Sequence, residues 1–544
     1  MLSRAQPRKG PKDTVTAAEF GQSPNGHDSG GVSECAKEEP SPIQMSRWAG
    51  LLAIAALPVL LNACGKSSSD DALMSEAASG GSASSGGASS GGTAAGGVPS
   101  SGGTGSGGLS SGGAESGGTT SGGADGSGGV RGDPEFGGTE FVLPFLRQDA
   151  FGMGQPLVAT RNNSMLTVGE HASAEILPDA LDEAFLAEYS VDGALVNALA
   201  LTGAAMPELL AIDVDGNIFL VGQLYQDTTF GGFTLSAVES GFYLVKVAPD
   251  FSILDAVSST LGGGSPLSAM AVDAEGDVVV GLGEYSDNTT VQKPLIRKFS
   301  GSTLEELWSV HFEHDISQAY TTAITFNANG EVVVGGVFTG VLTVGETVLT
   351  KAGGLDDPIV YNGWLAWLDP ELGTPLRAIS FGGGSFDSVN DLETTESGRL
   401  LVLATQTFPS GFLDSTEAHD DGLSGSFLYD VRDAGTVNWG RMLKEQDYFG
   451  RVLALGSEGQ SYVAGRFGEI DATGGRIARF EADGTQTASL DVSSDSPNGL
   501  THIAVDTHGG VWMSWASEAP FEFGGKTFDL GPDGGQFILR KNDF

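Results

Sequence analysis

From about residue 140 to the end of the chain, apolar residues fall in short runs rich in Val, Ile, Leu, Phe and Trp, separated by Gly, Asp and Asn. No stretch of useful length carries an apolar stripe at the helical period, so the pattern predicts strands joined by turns. One unit reads Leu210-Ala-Ile-Asp-Val-Asp-Gly-Asn-Ile-Phe-Leu-Val-Gly222, then Gly231-Gly-Phe-Thr-Leu235, then Gly241-Phe-Tyr-Leu-Val-Lys-Val247. In Asp213-Val-Asp-Gly216 the first carboxylate can cap a turn, and the glycine supplies the positive φ that sends the chain back. The turn glycine recurs at Gly216, Gly276, Gly330, Gly398, Gly459 and Gly509, with Ser164 in that place in the first unit, at intervals of 50 to 68 residues. Asp213, Asp273, Asn327 and Asp506 stand three residues before their glycines. Arg161, Thr395 and Gly456 stand there in the other units, and those turns are expected to have drifted.

A further strand recurs as Phe185–Tyr189, Phe242–Val247, Leu295–Phe299, Trp364–Leu368, Phe427–Val431, Arg476–Phe480 and Phe537–Arg540, and most units add a fourth, such as Leu307–Phe312 or Val437–Met442. Seven units of four strands predict an all-β fold, a seven-bladed β-propeller of four-stranded blades over residues 138–544. The last unit stops after its third strand. The unpartnered segment Glu140–Arg147 is expected to supply the missing fourth, closing the ring and removing an exposed edge. The units Asp213 to Gly222, Phe230-Gly-Gly232, Phe523-Gly-Gly525 and Gly241 to Val247 resemble the bacterial β-propeller repeats of SBBP type. That resemblance covers about residues 140–544. It implies a secreted or surface-displayed propeller and supplies no catalytic residue set.

The chain ahead of the repeats reads as an address and a tether. Met45-Ser-Arg47 precedes the apolar run Ala49 to Leu61, and Asn62-Ala63-Cys64-Gly65 follows. The run is too short for a stable transmembrane helix. It resembles a bacterial lipoprotein signal over residues 45–63, which implies lipidation of Cys64 and attachment by more than one acyl chain. Residues 1–44 are polar and patternless, and translation is expected to start at Met45. Residues 64–137 comprise the lipidated cysteine and a tether of Ser-Gly-Gly units with nothing to bury, expected to be disordered, with a mean span of roughly 45–50 Å. Arg131-Gly132-Asp133 within it is a chance tripeptide. Gly65-Lys66 carries no Asp of the kind that retains some lipoproteins at the inner membrane. The expected place is therefore the cell envelope, with the outer membrane favoured.

Charge narrows the partners. The formal net charge is −42, and the first 64 residues hold as many acids as bases, so the excess lies after Cys64. Such a field opposes nucleic acid, whose phosphates need Lys and Arg to displace their counterions. Both cysteines, Cys35 and Cys64, precede the tether, which excludes disulfides and thiolate metal sites from the repeats.

Candidate chemistry is sparse. Asp213-x-Asp215-Gly-Asn217 opens like a calcium loop, but the twelfth position is Leu224, where an EF-type loop needs a bidentate acid. Read as one strand, His311-Phe-Glu-His314 puts its histidines on opposite faces, and no metal site is expected there. No G-x-S-x-G elbow follows a strand. Trp364, Trp367, Trp439, Trp512 and Trp515 fall in strands and read as core between blades. The sequence thus assigns no catalytic residue, cofactor or metal. It favours a membrane-anchored, non-catalytic module binding a protein or glycan. A glycan hydrolase or lyase with carboxylates at the channel mouth, and a structural coat protein, are the rivals.

Overall fold

The computed structural model describes residues 141–145, 157–159, 164–169 and 184–542, the last stretch with gaps of which 407–424 is the longest. The segment 1–44, the signal at 45–63, Cys64, the tether and Arg161 lie outside the described residues. The described residues are all-β, and none forms a helix long and apolar enough to cross a membrane.

Six four-stranded antiparallel sheets, and a seventh whose four strands are extended by Phe521–Phe523 and Lys526–Phe528, account for most of the strands. They are numbered here as blades one to seven, spanning residues 157–201, 205–260, 267–311, 319–381, 388–442, 449–494 and 500–541. Blade seven takes its fourth strand from the other end of the chain. Phe141–Phe145 pairs antiparallel with Gly535–Lys541, Phe141 opposite Arg540 and Phe145 opposite Gln536. This is the pairing expected of the segment Glu140–Arg147.

Side chains alternate along each strand, so each blade packs a different set of residues against each neighbour. Val278 and Val280 join Phe219, Val221 and Leu244 of blade two. Val279, between them, joins Val332, Val334 and Trp364 of blade four. Seven apolar cores follow this rule, and the one holding Phe185, Ala187, Trp512 and Ile538 joins blade seven to blade one. Burial on both faces explains why the second and third strands read as nearly continuous apolar runs. Val332–Phe338 and Asn362–Leu368 are buried at every position. The first strands of successive blades lie against one another around the same cycle. They are therefore the innermost, and the arrangement is that of β-propeller blades.

Trp364, Trp367, Trp512 and Trp515 are fully buried between blades, as their strand positions predicted. Trp439 is only partly buried, with the Arg441 guanidinium 5.6 Å above its ring. The reading of residues 311–314 as one strand is corrected. His311 ends the strand Glu306–His311, Phe312 is fully buried, and Glu313–His314 is a separate short strand paired with Val341–Val344. The buried phenylalanine breaks the run, because the fourth strand of blade three stops where its ring enters the core with Trp364.

Candidate functional site

Two tight turns recur, one joining first and second strands in blades two to seven and one joining third and fourth strands in blades one to six. Antiparallel order puts both on the same face of the ring. In the first kind, the residue three before the glycine donates its amide to the carbonyl four residues ahead, and its carbonyl accepts the glycine amide. The Asp213 amide donates to the Asn217 carbonyl at 2.9 Å, and the Asp273, Asn327, Thr395, Gly456 and Asp506 amides do likewise in their own turns. Gly216, Gly276, Gly330, Gly398, Gly459 and Gly509 all have positive φ, between 77° and 87°. The turns at Thr395 and Gly456 therefore keep their geometry. Only the cap differs: the Thr395 hydroxyl accepts the Arg399 amide at 3.0 Å, and at Gly456 the Gln460 side chain accepts the Glu458 amide at 3.2 Å.

The capping acids have little capacity to spare. Asp213 Oδ1 accepts the amides of Asp215 and Asn217 at 2.9 and 2.8 Å, and Oδ2 accepts the Asn217 side-chain amide at 2.7 Å. Asp273 Oδ1 accepts the Asp277 amide at 2.7 Å and its Oδ2 faces Lys298 at 2.8 Å. Asp506 Oδ2 takes Trp512 Nε1 at 3.0 Å and Arg540 Nη2 at 2.6 Å, all three residues being buried. These carboxylates are used in holding turns. Lys246 and Lys298, which face Asp213 and Asp273, and Arg399, which faces Asp430, also tie one blade to the next. Lys246 Nζ donates to the Gly301 carbonyl at 2.6 Å, Lys298 Nζ to that of Pro370 at 3.3 Å, and Arg399 Nη1 to that of Ala482 at 2.6 Å. The turn face is thus a stapled surface, which suits it to present a site of fixed shape.

A depression of about 590 Å³ opens on this face among blades five, six and seven. Its wall is the turn Thr395–Arg399, the turn Leu455–Gly459, Ala482 and Val505–Thr507. Thr395, Ser397, Ser457 and Thr507 offer hydroxyls, Glu396 and Glu458 are exposed, and Leu455 and Val505 give an apolar floor. Arg399 spans the wall and holds the Gly459 carbonyl at 3.1 Å as well as that of Ala482.

Behind this mouth, on the first strands of the same three blades, stand ionisable residues. Asp391 and Glu393 lie on Ser388–Thr394, Arg451 on Phe449–Leu455 and His502 on Leu500–Val505. At about 3.3 Å per residue they sit roughly 7–17 Å below the turns. Arg451 is exposed to solvent. Asp391 Oδ2 accepts the Leu453 amide of the next blade at 2.7 Å, and Oδ1 accepts the Leu392 amide at 2.8 Å. Burial nevertheless pushes its carboxyl up to about 7, the two amides pulling the other way. Burial, and then the charge of Asp391, push Glu393 up to about 8. Burial, and then the charge of Arg451, push His502 down to about 4.

Each first strand from blade two to blade seven also carries a β-bulge, at Glu208, Ser268, Thr322, Asn390, Arg451 and Thr501. All six are polar, and two of them bond across to the following blade. Thr322 Oγ1 donates to the Val389 carbonyl at 2.6 Å, and Asn390 Nδ2 to that of Gly450 at 2.7 Å.

None of these first-strand residues was singled out in the sequence, because a polar residue inside a strand reads as solvent-facing. Their common place, five to eight residues ahead of the turn glycine, is the signal that would find them. Of the residues that were singled out, His311, Glu313 and His314 diverge. His311 Nδ1 faces Glu284 at 2.9 Å, Glu313 faces Lys293 at 3.0 Å, and His314 Nε2 bonds the Gln292 carbonyl at 2.7 Å. Among the described residues no group of three metal-ligating side chains converges.

No family model matches the chain, and no curated protein matches it. Solved structures do. The streptogramin B lyase structure is 9% identical over 74% of this chain and 97% of that one, with a TM-score of 0.39. The β-propeller domain of the trilobed protease from Pyrococcus furiosus is 11% identical over 70% and 96%, with a TM-score of 0.38. The polysaccharide lyase Uly1 is 13% identical over 72% and 91%, with a TM-score of 0.39. At that distance no function is read from them.

Proposed function

We propose that this chain is a lipoprotein of the bacterial cell envelope, anchored through Cys64, whose SBBP-type repeats form a closed seven-bladed propeller that binds a glycan or protein without transforming it. The observation that carries the binding reading is the depression between blades five and seven, whose wall of hydroxyls, carboxylates and a small apolar floor matches the mixed surface of a sugar or a polar peptide. Its stapled turns need little ordering on binding, which favours affinity. The tether of 64–137 would hold this face clear of the membrane, the outer one by the absence of an Asp after Cys64. The acidic charge directs it away from nucleic acid.

One observation favours a second reading, a glycan hydrolase or lyase. Asp391 and Glu393 are two carboxyls about 7 Å apart along one strand, and both are pushed toward the range in which an acid or base works near neutral pH.

Calorimetric titration of the full-length chain with soluble peptidoglycan fragments and with neutral oligosaccharides tests the first reading, with Ser457→Trp to fill the depression. Saturable binding abolished by Ser457→Trp, with the ligand recovered unchanged, is the expected result. Binding unaffected by Ser457→Trp, or no binding to either, overturns it. Ligand cleaved by the parent and left intact by Glu393→Gln would establish the enzyme instead.

A further inference from the structure

The fourth strands of blades one to six share a register. Each one from blade one to blade six carries a β-bulge at its second residue: Val196, Leu254, Leu307, Leu376, Asn438 and Thr487. A bulge leaves one residue unpaired and turns its side chain out of the ladder. In blades one to four that residue is aliphatic and about half exposed: Val196 52%, Leu254 47%, Leu307 51% and Leu376 49%. Single exposed aliphatics are ordinary. Four in one register on four consecutive blades are not, and Asn438 and Thr487 show that the fold accepts a polar residue there.

The bulges follow directly on the turns between third and fourth strands, so they form an arc on the rim of the turn face. That arc is acidic. Asp192, Asp250, Glu305 and Glu371 stand exposed in the same turns, and Glu306 beside them faces Arg297 at 3.7 Å. Side-chain bonds from Ser190 and Ser252 hold Asp192 and Asp250 below the usual carboxylate range, so both stay charged. The nearby cation Arg377 is engaged by Glu331 at 2.7 Å.

We infer that the rim of blades one to four is a docking surface for a protein partner that presents aliphatic side chains among Lys and Arg. Charge complementarity decides the occupant. A second copy of this chain would bring like charges together, and an anionic membrane would be repelled. The surface is separate from the depression of blades five to seven and does not depend on what that depression binds.

The probe is a labelled synthetic peptide of amphipathic Leu/Lys pattern, with a Leu/Glu peptide as its counterpart, titrated by fluorescence anisotropy onto the full-length chain. The combined variant Leu254→Ser, Leu307→Ser, Leu376→Ser should weaken the Leu/Lys peptide about tenfold or more while the melting temperature holds. Asn438→Ser, in the same register outside the arc, should leave binding unchanged, and the Leu/Glu peptide should not bind. Equal affinity in the triple variant, or equal loss in Asn438→Ser, overturns the inference. So does sedimentation showing a dimer of the parent chain that the triple variant lacks, which would assign the rim to a second copy. If the triple variant loses its melting transition, the single variant Leu307→Ser carries the test, with a smaller loss in the same direction.

Discussion

Asp391 and Glu393 show how a residue's surroundings set its chemistry. Both carboxyls are raised when the chain folds, so the folded protein keeps protons that the unfolded chain releases. Their contribution to stability therefore falls as pH rises from about 4, where the unfolded groups titrate, to about 8, and is level beyond. His502 runs the other way. Its folded value lies below the unfolded one, and stability is lost as pH falls from about 6.5 to about 4. Glu393→Gln should stabilise the chain at pH 8.5 by about 1–3 kcal/mol, solvent moderating the full shift, and Asp391→Asn should gain less, because it keeps one acceptor for the two amides that Asp391 binds. At pH 5 the gain should be small. Denaturant melts at the two pH values check this, and an equal effect at both would show that the carboxyls titrate normally.

At the scale of the element, the turn between first and second strands is set by one glycine and one cap. Gly330 has a φ of 77° and open space where a Cβ would stand. Gly330→Ala should cost about 1–2 kcal/mol, the strain of a left-handed backbone alone. Gly301 differs, since a Cβ there would lie 1.8 Å from the Gly276 carbonyl oxygen. Gly301→Ala has to displace backbone in two turns at once, and thermal melts should show a much larger loss.

These turns were legible in the sequence because glycine and Asp or Asn recur at fixed spacing for a local reason. The third strands were legible too, since burial on both faces leaves an unbroken apolar run. The bulges were not, because an inserted residue changes pairing without changing composition. The drift assigned to Thr395 and Gly456 was an error of the same kind: the side chain changed while the backbone bonds stayed. The staples of Lys246, Lys298 and Arg399 also escaped notice, because their acceptors are carbonyls of a neighbouring blade, 55, 72 and 83 residues away.

For the whole molecule, position depends on the order of the blades. The depression of blades five to seven and the apolar rim of blades one to four stand on one closed ring only if the last blade closes on the first. Two observations make that junction: the shared core of Phe185, Trp512 and Ile538, and the strand Phe141–Phe145 on Gly535–Lys541. An edge strand left open there would expose unpaired amides along Gly535–Lys541. Amide hydrogen exchange on the full-length chain tests the closure directly. The account predicts that the alternate amides of Phe141–Phe145 that donate to Gly535–Lys541 exchange as slowly as the amides of that partner strand. Exchange of Phe141–Phe145 at the rate of an unfolded peptide, with Gly535–Lys541 still protected, would contradict it.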